Sequence, residues 1–179
     1  PISTQEMIGI ACALKPEMAM LVPEGRLEIT TEGGLDVLTR QGYLQTCVAR
    51  LRDAGILVSV FIDADLPQIE AAKKIGVDVC EVHTGPFSKV FHEFGRDTYR
   101  PEVANELAKL AIAGKAIADL GMRFNAGHAL NYHNVASVAC LPNLCELHIG
   151  HAIVSRAVFS GMRVAVSEMK AILMNAVRR

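Results

Sequence analysis

No run of apolar residues in this sequence reaches the roughly 20 needed to cross a bilayer, and the N-terminal stretch lacks the basic-then-apolar order of a signal peptide. The compartment expected from this is the cytoplasm, with no membrane partner. Charge of one sign is not in surplus either: 18 Lys and Arg stand against 19 Asp and Glu. Without an excess positive field, nothing is available to grip a nucleic-acid backbone. Cysteine is present but unpaired in pattern. Cys12, Cys47, Cys80, Cys140 and Cys145 form no CxxC suited to zinc or redox chemistry and stand among apolar neighbours, so they are expected to be reduced core thiols. No GxGxxG follows a strand, which weakens a dinucleotide-binding fold.

What the chain does contain is core-forming material, 51% of its 179 residues being hydrophobic. That is enough for one globular unit, and residues 1–179 are expected to form a single domain. Thr4 to Leu14 has a helical pattern with no strand before it, so the chain opens as the middle of a domain would. Met18 to Val22 reads as a strand running into a polar loop. Leu35, Leu38, Leu44, Val48 and Leu51 recur at helical spacing up to a stop at Gly55, predicting a helix over Leu35 to Ala54. The run ILVSVFI from Ile56 to Ile62 is apolar on both sides of its alternation, as a strand covered on both faces should be. A helix over Leu66 to Gly76 and a strand over Val77 to Val82 follow. After them come a long loop, a helix from Pro101 to Leu120, and a strand from Arg123 to His128. The chain then gives a helix over Tyr132 to Cys140, a strand over Leu144 to His148, and helix from His151 onward, with a break near Gly161.

Strands alternating with helices, without hairpin signals, imply parallel crossovers and an α/β fold. Asp63, Glu81, His83, Asn125, His128, Glu146 and His148 fall near the C-terminal parts of successive strands, where a TIM (β/α)8 barrel gathers its active site. The fold predicted is such a barrel with about five strands present, the N-terminal strands being absent from this chain.

Within HIGHAIVSRAV (148–158) a strand ends, Gly150 allows a ligand close to the backbone, and a helix begins at once. Free N–H groups and the helix dipole there could hold a phosphate without a lysine. Gly150 could equally do no more than permit a tight turn. His128, behind Gly127 at a strand end, could exchange protons near neutrality, although a histidine alone is more often structural. Only His128 and His151 have a context favouring function; His83, His92, His133 and His148 are read as structural. Glu81 and His83 share one strand face, and a carboxylate buried there must be paired or functional. An ion pair tying strands together remains open for Glu81. Thr30 and Thr31 offer hydroxyls to a phosphate or sugar, or a helix cap ahead of Leu35.

Together with LVPEGR (21–26) and FIDAD (61–65), the stretches TTEGGLDV (30–37), EVHTG (81–85), NAGHALNYHN (125–134) and HIGHAIVSRAV come in the order found in one family. The chain resembles pyridoxine 5′-phosphate synthases throughout its length. The resemblance implies condensation of 1-deoxy-D-xylulose 5-phosphate with 3-amino-2-oxopropyl phosphate to pyridoxine 5′-phosphate, phosphate and water. It implies no metal and no organic cofactor, small phosphorylated substrates as partners, and a homo-octamer built from dimers. By motif position His128 would be the proton donor, Glu81 the transition-state stabiliser, and Thr30 a contact to deoxyxylulose phosphate. Ala129, Gly150 and His151 would line the site for the aminooxopropyl phosphate.

Three departures from the family pattern stand out. Ala129 replaces an expected glycine, His148 replaces an expected asparagine, and the loop from Pro86 to Arg100 is longer. The family's other catalytic histidine and its strand glutamate belong ahead of Pro1, so this chain by itself is expected not to complete a catalytic site, through truncation, cleavage or disorder. Two alternatives are a phosphate-binding barrel fragment without catalysis and another phosphosugar-acting barrel enzyme. Against the second, no strand-borne lysine for a Schiff base and no clear metal-ligand set are evident.

Overall fold

The computed structural model describes residues 4–23 and 33–178. The elements run α1 (Thr4–Leu14), β1 (Met18–Leu21), α2 (Gln41–Asp53), β2 (Leu57–Ile62), α3 (Leu66–Lys74), β3 (Val79–His83) and α4 (Gly85–Glu93). They continue as α5 (Pro101–Asp119), β4 (Arg123–Gly127), α6 (Val135–Ala139), β5 (Leu144–His148), α7 (His151–Ser160) and α8 (Met162–Val177). The strands form one parallel sheet in the order β1-β2-β3-β4-β5. This is the five-strand alternation expected from sequence. Among the described residues the sheet is open, and its consecutive βα units are those of a partial (β/α)8 barrel. No helix among them is long and apolar enough to cross a membrane.

The two faces of the sheet divide by strand period. Val58, Val60 and Ile62 of β2, Cys80 and Val82 of β3, and Phe124 and Ala126 of β4 pack towards the helices in one hydrophobic cluster. That cluster is closed by Val48 and Leu51 of α2, Ile69 and Ala72 of α3, and Val103, Leu110 and Ile117 of α5. Phe61, Glu81, His83, Asn125 and Gly127 occupy the opposite, concave face.

In β5 that phase is reset by a bulge. Phe124 pairs with Leu144 but Asn125 pairs with Glu146, leaving Cys145 as the extra residue. Were Cys145 paired as in a regular strand, Glu146 and His148 would fall in phase with Leu144 and point to the helices. With the bulge, they point inward beside Asn125 and Gly127, an example of such a feature re-aiming side chains.

Three local expectations need correction. Helix α2 starts at Gln41, not Leu35. Asp36 Oδ1 accepts from the Thr39 N–H at 3.1 Å, and Gln68 Oε1 accepts from the Val37 and Leu38 N–H groups at 2.8 and 3.1 Å. These side-chain bonds occupy backbone donors that a helix would otherwise use. The stretch Pro86 to Arg100, read as loop, contains α4, which buries Phe87 and Phe91 four residues apart with ring centroids 5.7 Å from each other. And the cysteines are not all core thiols: all five are free, but only Cys47 and Cys80 are buried, while Cys140 and Cys145 are exposed near the β5 edge. Burial pushes the Cys80 thiol up to about 12, so that sulfur is inert.

Candidate active site

Register sets the site. Phe61, Glu81, Asn125 and Glu146 lie opposite one another on adjacent strands, and one layer towards the strand ends His83, Gly127 and His148 do the same. Glu81 is almost fully buried and sends its carboxylate up and across β4, where Oε2 meets His148 Nδ1 of β5. The path exists only because residue 127 has no side chain. A Cβ there would collide with Glu81 Oε1 and come within 3.0 Å of the His148 carbonyl oxygen. Close approach, rather than backbone freedom, therefore requires this glycine. Of the two roles left open for Glu81, an ion pair between strands is present, to β5 across the intervening β4, and the carboxylate also faces a cavity.

Beyond Gly127 the chain turns sharply. His128 and Ala129 have φ of +81° and +57°, a region costing an L-residue about 1–2 kcal/mol. The turn is tied down from several sides, as such strain must be. The Thr84 hydroxyl lies 2.7 and 2.5 Å from the carbonyl oxygens of Gly127 and His128. The Thr84 N–H donates to Gly127 O at 2.9 Å. Asn134, buried, donates to Ala129 O at 3.2 Å and accepts from the Asn131 N–H at 2.7 Å. The motif NAGHALNYHN is thus a strand end, a strained turn, and the asparagine that fastens it.

The result is a cavity of about 460 Å³ lined by Glu81, His128, Ala129, His148, Gly150 and His151, with Met20, Val22 and Phe61 as its apolar wall. Five residues singled out from sequence (Glu81, His128, Ala129, Gly150 and His151) border this one space. Thr30 lies outside the described residues. Helix α7 begins at His151, and its first turn closes with the Val154 N–H on Gly150 O at 3.0 Å. The N–H groups ahead of Val154 have no place in the helical ladder and face the cavity end of the helix.

The His128 ring packs edge-on against His83, centroids 4.9 Å apart, with Phe61 6.1 Å away. Burial first, then the nearby His83 and His151, lower its pKa from the ordinary value, Glu81 partly opposing them. His148 moves the other way: its hydrogen bond to Glu81 raises the pKa despite burial, and Glu146 assists. Two imidazoles bordering one pocket are thereby driven apart in acidity, the usual mark of separate acid–base duties. Among the described residues no group of three or more His, Cys, Asp or Glu is arranged to hold a metal ion.

A family model described as pyridoxal phosphate biosynthesis protein PdxJ matches residues 2–175. The chain belongs to the PdxJ family. Among curated PdxJ relatives, the pyridoxine 5′-phosphate synthase of Aromatoleum aromaticum is 64% identical over 174 residues, covering 97% of this chain and 69% of its own length. That of Dechloromonas aromatica is 62% identical over 177 residues, 99% of this chain and 70% of the relative. That of Azoarcus sp. is 61% identical over 174 residues, 97% and 70%.

Two histidines read as structural from sequence lie at or beside this site of the PdxJ chain. His148, read as structural, lines the cavity and holds Glu81. His83, read the same way, is buried against His128 with its Nδ1 2.9 Å from Asp63 Oδ1. The available signal for His83 was its spacing of two from Glu81. For His148 there was none, because the bulge that turns it inward leaves no trace in alternation.

Proposed function

We propose that this protein is a pyridoxine 5′-phosphate synthase, condensing 1-deoxy-D-xylulose 5-phosphate with 3-amino-2-oxopropyl phosphate to pyridoxine 5′-phosphate, phosphate and water. The observation that carries the reading is the agreement of family and geometry. Relatives 61–64% identical bear that name, and Glu81, His128, Ala129, Gly150 and His151 border a single cavity.

Joining an amine to a ketone, expelling water and phosphate, and closing a ring demands several proton transfers between anchored reactants. His128 is the proton donor. An imidazolium of lowered pKa is a stronger acid, so it surrenders its proton readily to a leaving oxygen. Glu81 is the transition-state stabiliser: its buried carboxylate meets the positive charge that develops as the amine adds and loses water. Gly150 and His151 hold the aminooxopropyl phosphate on the open N–H groups of α7, where the helix dipole favours an anion. Ala129 contributes through its backbone, which a methyl group leaves accessible. Thr30 contacts deoxyxylulose phosphate. No metal or organic cofactor takes part in this scheme.

Residues 1–179 are, in this reading, a single domain and the greater, C-terminal part of a (β/α)8 barrel. One hydrophobic cluster reaching from α1 to α8 supports that. The protein works in the cytoplasm as a homo-octamer of dimers and binds neither nucleic acid nor membrane. Balanced charge favours this, as do Val158 and Phe159, 77% and 91% exposed on a helix with no fully buried residue.

The test is turnover of both phosphorylated substrates by the intact protein, followed as pyridoxine 5′-phosphate and released phosphate. His128→Ala is expected to lower kcat by about 100-fold or more. A loss under about tenfold would remove His128 from the role of general acid.

A further inference from the structure

We infer that His148 is a positioning residue for this reaction: its imidazolium clamps the Glu81 carboxylate across Gly127, holding it aimed into the cavity that His128 borders. The inference rests on the catalytic reading of Glu81.

Three independent features of the fold build the clamp. The bulge at Cys145 turns His148 to the concave face. The missing side chain at Gly127 opens the path between β3 and β5. Burial of Glu81, its side chain 6% exposed, makes a partner obligatory if the carboxylate is to stay charged.

Two carboxylates beside the His148 ring favour its charged form. Its Nδ1 faces Glu81 Oε2, and its Nε2 stands 3.6 Å from Glu146 Oε2. A neutral imidazole has one N–H and one bare nitrogen, so it would present a lone pair to one of the two carboxylates. The imidazolium donates to Glu81 through Nδ1–H and sets its charge beside Glu146, which lies beyond hydrogen-bond reach of Nε2. Glu146 is fixed in turn by Arg123 and by Asn125 Nδ2 at 3.1 Å, so it does not swing away from the ring. Among the described residues the remaining cavity neighbours are apolar at β1 and just after it (Met20, Val22) and on β2 (Phe61), with His128 beyond β4 and His151 on α7 as the other titratable groups. Among the described residues His148 thus has two anions against it, with Arg123 paired to Glu146 behind them. Its raised pKa agrees, the Glu81 hydrogen bond being the leading cause.

The consequence is a pH limit built into the site. Once pH exceeds the raised pKa of His148, the ring keeps one N–H, Glu81 loses the opposite charge that held it, and turnover falls on the alkaline side. An asparagine at this position would supply Glu81 with an N–H donor but no charge, and so would not impose that limb.

Two measurements test this on the intact protein. The first is an NMR titration of the His148 ring in the wild type and in Glu81→Gln, with assignment by loss of the signal in His148→Asn. The wild-type midpoint is expected above the ordinary value of about 6.5, falling back towards it in Glu81→Gln. A midpoint at or below 6.5, or one that Glu81→Gln leaves in place, overturns the clamp.

The second is the pH profile of kcat and KM for wild type, His148→Asn and His148→Leu. His148→Leu is expected to lose about tenfold or more in kcat with KM within about twofold. His148→Asn is expected to recover most of kcat near neutrality while its alkaline limb disappears. Profiles superimposable on wild type for both variants overturn the positioning role. If Glu81→Gln shifts the His148 midpoint yet leaves turnover intact, the catalytic reading of Glu81 falls, and the positioning role with it, while the ion pair stands. If His148 ignores Glu81→Gln but turnover collapses, Glu81 stands and the clamp falls.

Discussion

Ala129 sits at φ +57° where glycine would be unstrained, and its relief is a direct measure of how much the turn costs. Ala129→Gly is expected to raise stability by about 1 kcal/mol, read as a higher midpoint in urea. Two positions earlier the effect is reversed. Gly127→Ala forces a methyl into Glu81 Oε1 and is expected to destabilise by about 1–3 kcal/mol while abolishing turnover. The histidines make stability depend on pH with opposite signs. For His148, raised in the folded state, the stabilising contribution is complete below about 6.5 and is lost as pH rises through the folded pKa. For His128, lowered in the folded state, the unfolded chain takes up a proton first, so stability falls as pH drops below about 6.5. Thermal midpoints between pH 5 and 9 should therefore flatten on the alkaline side in His148→Asn and on the acid side in His128→Ala. A glycine at 129 was expected from the family pattern, and the backbone supplies the reason. That His148 is a partner of Glu81 was not legible, because a side chain's direction in a strand is known from sequence only while the alternation is unbroken.

Elements with a strong period were readable and those punctuated by turn residues were not. In α4, Gly85, Pro86 and Gly95 suggest a loop, yet Phe87, Val90, Phe91 and Phe94 follow the i, i+3, i+4, i+7 spacing of a buried helix face. Its contribution can be measured. Phe91→Ala is expected to cost about 3 kcal/mol in denaturant unfolding, because Phe91 is 5% exposed and packed on Phe87. The opposite misreading occurred ahead of α2. There the apolar spacing continues back to Leu35, but Asp36 and Gln68 capture the backbone donors. Gln68 belongs to α3, so the helix start is decided by a contact that no local window contains. The Pro101–Asp119 helix and the β2 run needed no such outside information, since each is long or apolar enough to determine its own state.

At the scale of the molecule, the ordering of parallel strands was legible from the alternation of elements, and with it the gathering of polar strand ends at one rim. What covers the exposed apolar surface was not. Helix α7 presents Val154, Val158 and Phe159 outward with no buried residue of its own. Phe159→Glu is expected to lower the assembly mass measured by light scattering while leaving the far-ultraviolet dichroism of the subunit unchanged. The odd residue in β5 has a wider consequence for anyone recombining barrels of this kind. Inside and outside can be counted forward from Leu144 or backward from His148, but the two counts disagree by one, and they meet only at Cys145. A graft that keeps all five side chains but pairs Cys145 as an ordinary strand residue would deliver the correct sequence turned inside out, with its carboxylate and imidazole buried in oil.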